Sequence, residues 1–167
     1  MRTPSRPAVF IGSSAEGLET AKAIQIMLDR TCEVQLWSQG TFQVGSLSLE
    51  ALAKAVDNFD FAVLVVTPDD TAVSRGQAKN ITRDNVTFEL GLFMGALGRD
   101  RTFMVFDRTK PPDLPSDLAG VTPATFEPHA SGNLDAALGA PCTLIQRATQ
   151  RLGGRETRRV EGLRATT

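Results

Sequence analysis

The sequence contains few of the side chains on which most metal sites and nucleophilic hydrolases depend. Its 167 residues include one histidine, His129, and two widely separated cysteines, Cys32 and Cys142. Structural zinc sites need several Cys or His ligands, and a Ser-His-Asp hydrolase needs a histidine beside its nucleophile. His129 lies in the turn-rich stretch FEPHASGN, where a loop residue is expected. The sequence therefore predicts no metal site, and any catalysis has to use carboxylates, hydroxyls, arginine or lysine.

The sequence also lacks a strong net charge and a long apolar run. The formal net charge is −1, which gives no electrostatic reason to expect nucleic acid as a partner. No apolar run approaches the roughly 20 residues that a membrane span requires, and the N-terminal MRTPSRPAVFIGSS does not resemble a secretory signal. We expect a cytoplasmic protein with reduced thiols, no membrane partner and no nucleic-acid partner.

Strand and helix patterns alternate five times along the chain. The continuous apolar run at residues 61–66 is typical of a central parallel strand that helices cover on both faces. The alternation predicts an α/β fold, a flavodoxin-like doubly wound parallel five-stranded sheet. Residues 1–7 are expected to form a lead, 8–153 the domain, and 154–167 a polar, Arg-rich tail or linker.

Three local features carry structural predictions of their own. The stretch TAVSRGQAKNIT is polar and predicts an irregular connection. Pro123 cannot donate a ladder hydrogen bond, so VTPATFE is expected at the edge of the sheet. The closing helix is expected to break at residues 139–141, where Gly-Ala-Pro interrupts it.

In such a sheet the carboxyl ends of the strands meet on one ligand-binding rim. That rule brings GSSAEG, WSQGTF, TPDD and the start of the third helix together. Gly12 permits a tight turn, Ser13 and Ser14 offer hydroxyls, and the next helix offers free amides, which suits a phosphate or ribose. An ordinary strand–turn–helix fits the same residues. In TPDD, Asp69 and Asp70 are expected to cap a turn more readily than to bind a metal.

The stretch RDNVTFELGLFMG contains an unusual carboxylate. Glu89 is the only charged side chain between Asp84 and Arg99. Helical spacing makes Val86, Leu90, Phe93 and Leu97 one apolar stripe, puts Gly91, Gly95 and Gly98 on a second, and leaves almost no polar face. Glu89 is then either a structural carboxylate satisfied by an arginine or the helix start, or a functional group in a desolvated place.

Together, VFIGSSAEGLETAKAIQ, VQLWSQGTF, DFAVLVVTPDD, RDNVTFELGLFMGALGRDRTF and LPSDLAGV resemble the bacterial TIR-like domains described as predicted nucleotide-binding proteins. Such domains serve as effectors in anti-phage systems, including TIR–STING fusions and relatives triggered by cyclic nucleotides. The resemblance covers residues 8–150 and is most specific in RDNVTFELGLFMG and TPDD.

The resemblance implies a TIR fold and cleavage of NAD⁺ at the nicotinamide–ribose bond, with Glu89 as the catalytic carboxylate and NAD⁺ as substrate, not cofactor. By position it also implies a set of substrate-binding residues: Phe10, Gly12, Ser13 and Ser14 after the first strand, Trp37 and Phe42 at the second strand end and its loop, and Arg83 and Asp84 at the pocket mouth.

The resemblance further implies self-assembly into a homo-oligomer or filament, and a cyclic-nucleotide sensor in the same or a separate chain. Two alternatives stay open. One is a TIR scaffold without chemistry, in which Glu89 is structural. The other is a nucleoside deoxyribosyltransferase-like enzyme, which shares the sheet, a Gly/Ser-rich first loop and a glutamate that attacks C1′.

Overall fold

A computed structural model of this protein describes residues 6–36, 49–68, 70–74, 77–81, 84–118 and 120–156, with side chains at all of these except 49, 51 and 70–85. In chain order the elements are β1 (Ala8–Ser13), α1 (Leu18–Leu28), β2 (Glu33–Leu36), α2 (Leu49–Val56), β3 (Phe61–Val65), β4 (Asp70–Ser74), β5 (Gln77–Ile81), α3 (Asp84–Leu97), β6 (Thr102–Asp107), β7 (Thr122–Phe126) and α4 (Leu134–Leu152).

Five of the strands form one parallel sheet in the order β2-β1-β3-β6-β7. The order reverses between β1 and β3, and these two strands pair in parallel with Gly12 opposite Leu64. This is the flavodoxin-like doubly wound topology that the alternating sequence pattern predicts. Strand β7, which contains Pro123, lies at an edge as expected.

Alternating side chains of the central strands supply the two halves of the core. Val9 and Ile11 point to the face covered by α1 and α4, whereas Ala8 and Phe10 point to the face covered by α2 and α3. In β3 the same alternation places Val63 on the first face and the even-numbered residues of the strand on the second face. Helix α3 therefore packs on the even-numbered side chains of β1 and β3.

Two local expectations were wrong. The polar stretch after β3 forms an antiparallel hairpin of β4 and β5, not an irregular connection, with Asp70 opposite Ile81 and Ser74 opposite Gln77. Helix α4 is continuous through Pro141, which is buried in its middle. Burial of neighbouring α4 side chains against the sheet offsets the missing proline amide, and local propensity does not report that packing.

The carboxylate of Asp60 joins the amino ends of the central strands to the end of the described chain. Asp60 is fully buried; its Oδ2 accepts from the Ala8 amide at 2.8 Å and its Oδ1 from the Arg155 amide at 2.7 Å. Arg101 donates to the Gly153 carbonyl oxygen at 2.8 Å and lies over the Phe61 ring. These contacts hold the end of the described chain, as far as Arg155, against the start of β1 and β3.

Replacing Asp60 by Ala is expected to lower the free energy of unfolding by about 2 to 4 kcal/mol, because the buried Ala8 amide and the partly buried Arg155 amide lose their acceptor. Urea unfolding of Asp60→Ala against wild type measures this loss. Asp57→Ala is the matched control, since Asp57 is exposed and its carboxylate bonds to none of the described residues. Equal stability of both variants would contradict the role given to Asp60.

Candidate functional site

The candidate site lies where the carboxyl ends of β1 and β3 meet the first turn of α1 and the second turn of α3. Pairing of β1 with β3 brings the segment after Gly12 beside the segment after Val65. Helix α1 begins directly after Gly17, so its amino end lies at this rim. Topology alone thus brings two hydroxyl-bearing loops and a helix amino end to one place.

Glu89 reaches this rim from the second turn of α3. The predicted apolar stripe of the helix is buried, with Val86, Leu90, Phe93 and Leu97 at most 8% exposed. Glu89 is half-buried beside that stripe, and its Oε2 lies 2.8 Å from the point where a side chain at residue 12 would place its Cβ. The carboxylate therefore lies directly against the backbone of β1.

Burial controls the electrostatics of Glu89. Desolvation raises its pKa from 4.5 to about 7. None of the described residues donates a hydrogen bond to the carboxylate or forms an ion pair with it. The structural alternative, a carboxylate satisfied by a nearby cation, finds no support among these residues. An unpaired, desolvated carboxylate at a ligand-binding rim is typical of a functional group.

Two hydroxyls connect the carboxyl ends of β1 and β3. Ser14 Oγ and Thr67 Oγ1 share a hydrogen bond of 2.8 Å, and Ser13 and Ser14 are both buried. Thr67 was not among the predicted site residues. Its position two residues after the central strand was the available signal, but TPDD draws attention to its carboxylates instead. The pair fixes the loop after β1 against the end of β3.

Two predicted site residues have a different environment from the one expected. Phe10 is 1% exposed, and its ring stacks on Phe93 at 4.6 Å between centroids and contacts Phe59 edge-on, so it lies in the core beneath the rim. Gly12 lies within β1 and not in a turn after it. Its lack of a side chain has another cause, the crowding above its Cα.

The remaining predicted residues are not tested by the geometry. Trp37, Phe42 and Arg83 lie outside the described residues, and so does Asp69. Asp84 is the first residue of α3, but the structure does not describe its side chain. Their contribution to the site stays a prediction from the sequence.

Other parts of the described structure also contain grooves lined by charged residues. A groove of about 800 Å³ between α4 and the amino ends of β6 and β7 contains Asp100, Arg147 and Arg151 at the edge opposite Glu89. Within the described ranges, no three His, Cys, Asp or Glu side chains are grouped as a metal site requires. No described helix combines the length and apolarity needed to cross a bilayer.

Comparison with known protein families gives one match that covers most of the chain. Residues 8–128 match the model described as "CAP12/Pycsar effector protein, TIR domain". The Pycsar effector protein PaPycTIR of Pseudomonas aeruginosa is 40% identical over 147 residues, which are 87% of this chain and 48% of that protein. The CD-NTase-associated protein 12 of Flavobacterium daejeonense is 42% identical over 119 residues, 71% of this chain and 38% of that protein.

Among solved structures, the similarity concerns the fold alone. The diflavin flavoprotein A3 of Nostoc sp. superposes with a TM-score of 0.51 at 15% identity, over 87% of this chain and 96% of that chain. The flavodoxin-like domain of a Synechococcus sp. protein gives 0.50 at 17% identity, over 85% and 99%. Both confirm the predicted flavodoxin-like architecture.

If Glu89 has no compensating partner, its ionisation opposes folding. Its pKa is raised in the folded state, so the cost is absent below pH 4.5, grows as pH rises, and is complete above about pH 7. Glu89→Gln is therefore expected to be more stable than wild type by about 2 to 3 kcal/mol at pH 8, with the gain disappearing towards pH 4.

Urea unfolding of both proteins across this pH range measures the difference. The exposed Glu19→Gln serves as control, with no pH-dependent gain expected. A Glu89→Gln variant that is less stable at pH 8 would show that the carboxylate has a stabilising partner.

Proposed function

The chain belongs to the family of CAP12/Pycsar effector TIR domains, and from this premise we propose that it is an NAD⁺ glycohydrolase. It cleaves the bond between nicotinamide and ribose, with Glu89 as catalytic residue, in bacterial anti-phage defence. Family membership agrees with the resemblance seen in the sequence. The single observation that carries the proposal is the Glu89 carboxylate, half-buried and unpartnered among the described residues at the rim of the central strands.

The chemistry of the bond explains why a carboxylate is enough. Nicotinamide leaves as a neutral base and needs no strong general acid. The ribose develops oxocarbenium character as the C1′–N bond breaks, and a nearby carboxylate stabilises that positive charge. Water then attacks C1′ and loses a proton, which gives ADP-ribose. This scheme needs no metal and no redox cofactor. The shortage of histidine and cysteine in the sequence also favours a reaction of this kind.

The environment of Glu89 suits that task. Little water surrounds the carboxylate to screen it, so its attraction for a cationic ribose is stronger than in bulk solvent. The same burial raises its pKa to about 7, and the positively charged nicotinamide ring favours the ionised form when NAD⁺ binds. The ionised Glu89 carboxylate thus lowers the stability of the free enzyme, and the same negative charge attracts the cationic substrate.

The hydroxyls and amides of the rim complete the proposed substrate site. Ser13 and Ser14 follow β1, Thr67 bonds to Ser14, and α1 begins after Gly17. Hydroxyls and helix amides are suited to ribose and phosphate oxygens. Trp37, Phe42, Arg83 and Asp84 are proposed to border the same substrate on the basis of the family resemblance.

We further propose that activity depends on self-assembly into a homo-oligomer or filament. The outer face of α3 is apolar and open: Phe88 is 49% exposed, and Gly95 and Ala96 are exposed as well. No described atom lies within 4 Å of a Cβ built on Gly95, so none of the described residues packs against the predicted glycine stripe at that point. An exposed apolar face next to Glu89 suits contact with a second copy.

The chain spans about half or less of the length of the two curated relatives named above, 48% for the Pseudomonas protein and 38% for the Flavobacterium protein. We propose that a cyclic-nucleotide sensor, in the same or a separate chain, controls assembly in the cytoplasm. This part of the proposal depends on the family resemblance and not on the described residues.

Protein clustered on a multivalent support is expected to release nicotinamide from NAD⁺, whereas Glu89→Gln loses activity by at least about 100-fold, since the transition-state charge is no longer stabilised. Chromatographic quantitation of nicotinamide and ADP-ribose measures both rates. Glu19→Gln, which changes an exposed carboxylate of α1, is expected to stay active.

Each alternative gives a different result in the same assay. Continued cleavage by Glu89→Gln would disprove the catalytic assignment. Filaments without NAD⁺ turnover at any concentration would favour the scaffold. Base exchange between free nucleosides, with NAD⁺ untouched, would favour a deoxyribosyltransferase-like enzyme.

The rate of cleavage is expected to increase with pH, because the ionised form of Glu89 is the active one. With a pKa of about 7, kcat/KM should be about tenfold lower at pH 6 than at pH 8 and level off above pH 8. Initial rates at low NAD⁺ concentration over pH 5.5–9 measure this profile. A rate that falls across this range would mean that the protonated carboxyl is the active form.

A further inference from the structure

We propose that Gly12 is a positioning residue for the Glu89 carboxylate. A residue with a side chain at position 12 would expel that carboxylate from the rim while leaving the fold in place. The inference rests on the proposed function for its catalytic meaning, but the geometry that it describes can be tested without any activity.

The backbone conformation does not explain why residue 12 is glycine. Gly12 lies inside β1, paired with Leu64, and is not among the positive-φ glycines Gly98, Gly132 and Gly153. Any L-residue can adopt such an extended conformation. The turn after the strand begins beyond Ser13 and does not involve Gly12. The requirement for glycine has to come from the space above its Cα.

That space is occupied from three sides. A Cβ at residue 12 would lie 2.7 Å from Leu64 Cδ1, 2.8 Å from Glu89 Oε2 and 3.0 Å from Phe10 Cε1. Real Cβ atoms essentially never approach other heavy atoms closer than 3.0 Å. Leu64 Cδ1 and Glu89 Oε2 both lie within that limit, so both have to shift when residue 12 gains a side chain.

Glu89 is the neighbour that is able to leave the site. Leu64 has no exposed surface, so its methyl group has to shift within the core, and Phe10 is held by its stack on Phe93. Glu89 is half-buried, has a flexible side chain, and makes no hydrogen bond or ion pair with the described residues. Rotation of the Glu89 side chain towards solvent relieves its contact with the new Cβ and also hydrates the carboxylate. Both effects favour the displacement.

The inference changes the meaning of Gly12. A glycine that cradles phosphate acts on the ligand directly, whereas a glycine that makes room for Glu89 acts through the carboxylate. In this arrangement the backbone of β1 lies at the bottom of the site, and α3 places the Glu89 carboxylate against it. The two roles of Gly12 predict different environments for Glu89 in the absence of any ligand.

The test is the pKa of Glu89 in Gly12→Ala, followed by NMR of protein carrying ¹³C-labelled glutamate carboxyls. The Glu89 signal is assigned by its loss in Glu89→Gln. We expect the pKa to fall from about 7 towards its ordinary value of 4.5, because the displaced carboxylate is hydrated. A Glu89 pKa that stays near 7 in folded Gly12→Ala would overturn the proposal.

Two further variants keep the test decisive. Gly139→Ala, which adds a methyl in open space on α4, is expected to leave the Glu89 pKa unchanged. If Gly12→Ala does not fold, Gly12→Ala combined with Leu64→Val removes the 2.7 Å contact with Leu64 Cδ1 and keeps the one with Glu89. The pKa should fall in this double variant too, and an unchanged value there would also overturn the proposal.

Activity supplies a separate readout. If wild type cleaves NAD⁺ when clustered, Gly12→Ala should lower kcat at least tenfold, and Gly139→Ala should not. If wild type shows no cleavage, the proposed function fails while the pKa measurement still decides the role of Gly12. The two failures are thereby distinguishable.

Discussion

The stack of Phe10 on Phe93 is the contact on which the site depends. It joins β1 to α3 with 4.6 Å between ring centroids and lies beneath both Gly12 and Glu89. Stacked aromatic pairs add about 0.5 to 1.5 kcal/mol beyond the area they bury, so the pair holds the helix at one distance from the strand. Glu89 then reaches the rim from a helix that is already fixed. A core contact therefore determines where the Glu89 carboxylate lies.

That arrangement lowers the stability of the folded protein. Asp60 and Glu89 show the contrast, since both are carboxylates at the ends of central strands. Asp60 is fully buried at the amino end and accepts from two backbone amides, which is how proteins stabilise a buried charge. Glu89 at the carboxyl end has no such donors among the described residues. The structural carboxylate and the proposed catalytic carboxylate therefore differ in their hydrogen bonds.

Much of the fold could be predicted because it depends on periodicity. The apolar run at residues 61–66 and the alternation of strand and helix specify the doubly wound sheet, and Pro123 specifies an edge. The buried apolar stripe on α3 was also predicted correctly, because it too follows from periodicity. The β4–β5 hairpin and the unbroken α4 could not be foreseen, because tertiary context overrides local propensity there. For the site, Glu89 is marked by its isolation in the sequence, but the contacts of Gly12 and Thr67 arise from pairs distant along the chain.

The most direct test of this account is a crystal structure of Glu89→Gln with NAD⁺ bound, since this variant is expected to keep the substrate intact. The account predicts the nicotinamide ribose at the rim between β1 and α3, with the side chain at position 89 within about 3 Å of a ribose hydroxyl. NAD⁺ bound elsewhere, for example in the groove between α4 and β7, would contradict it.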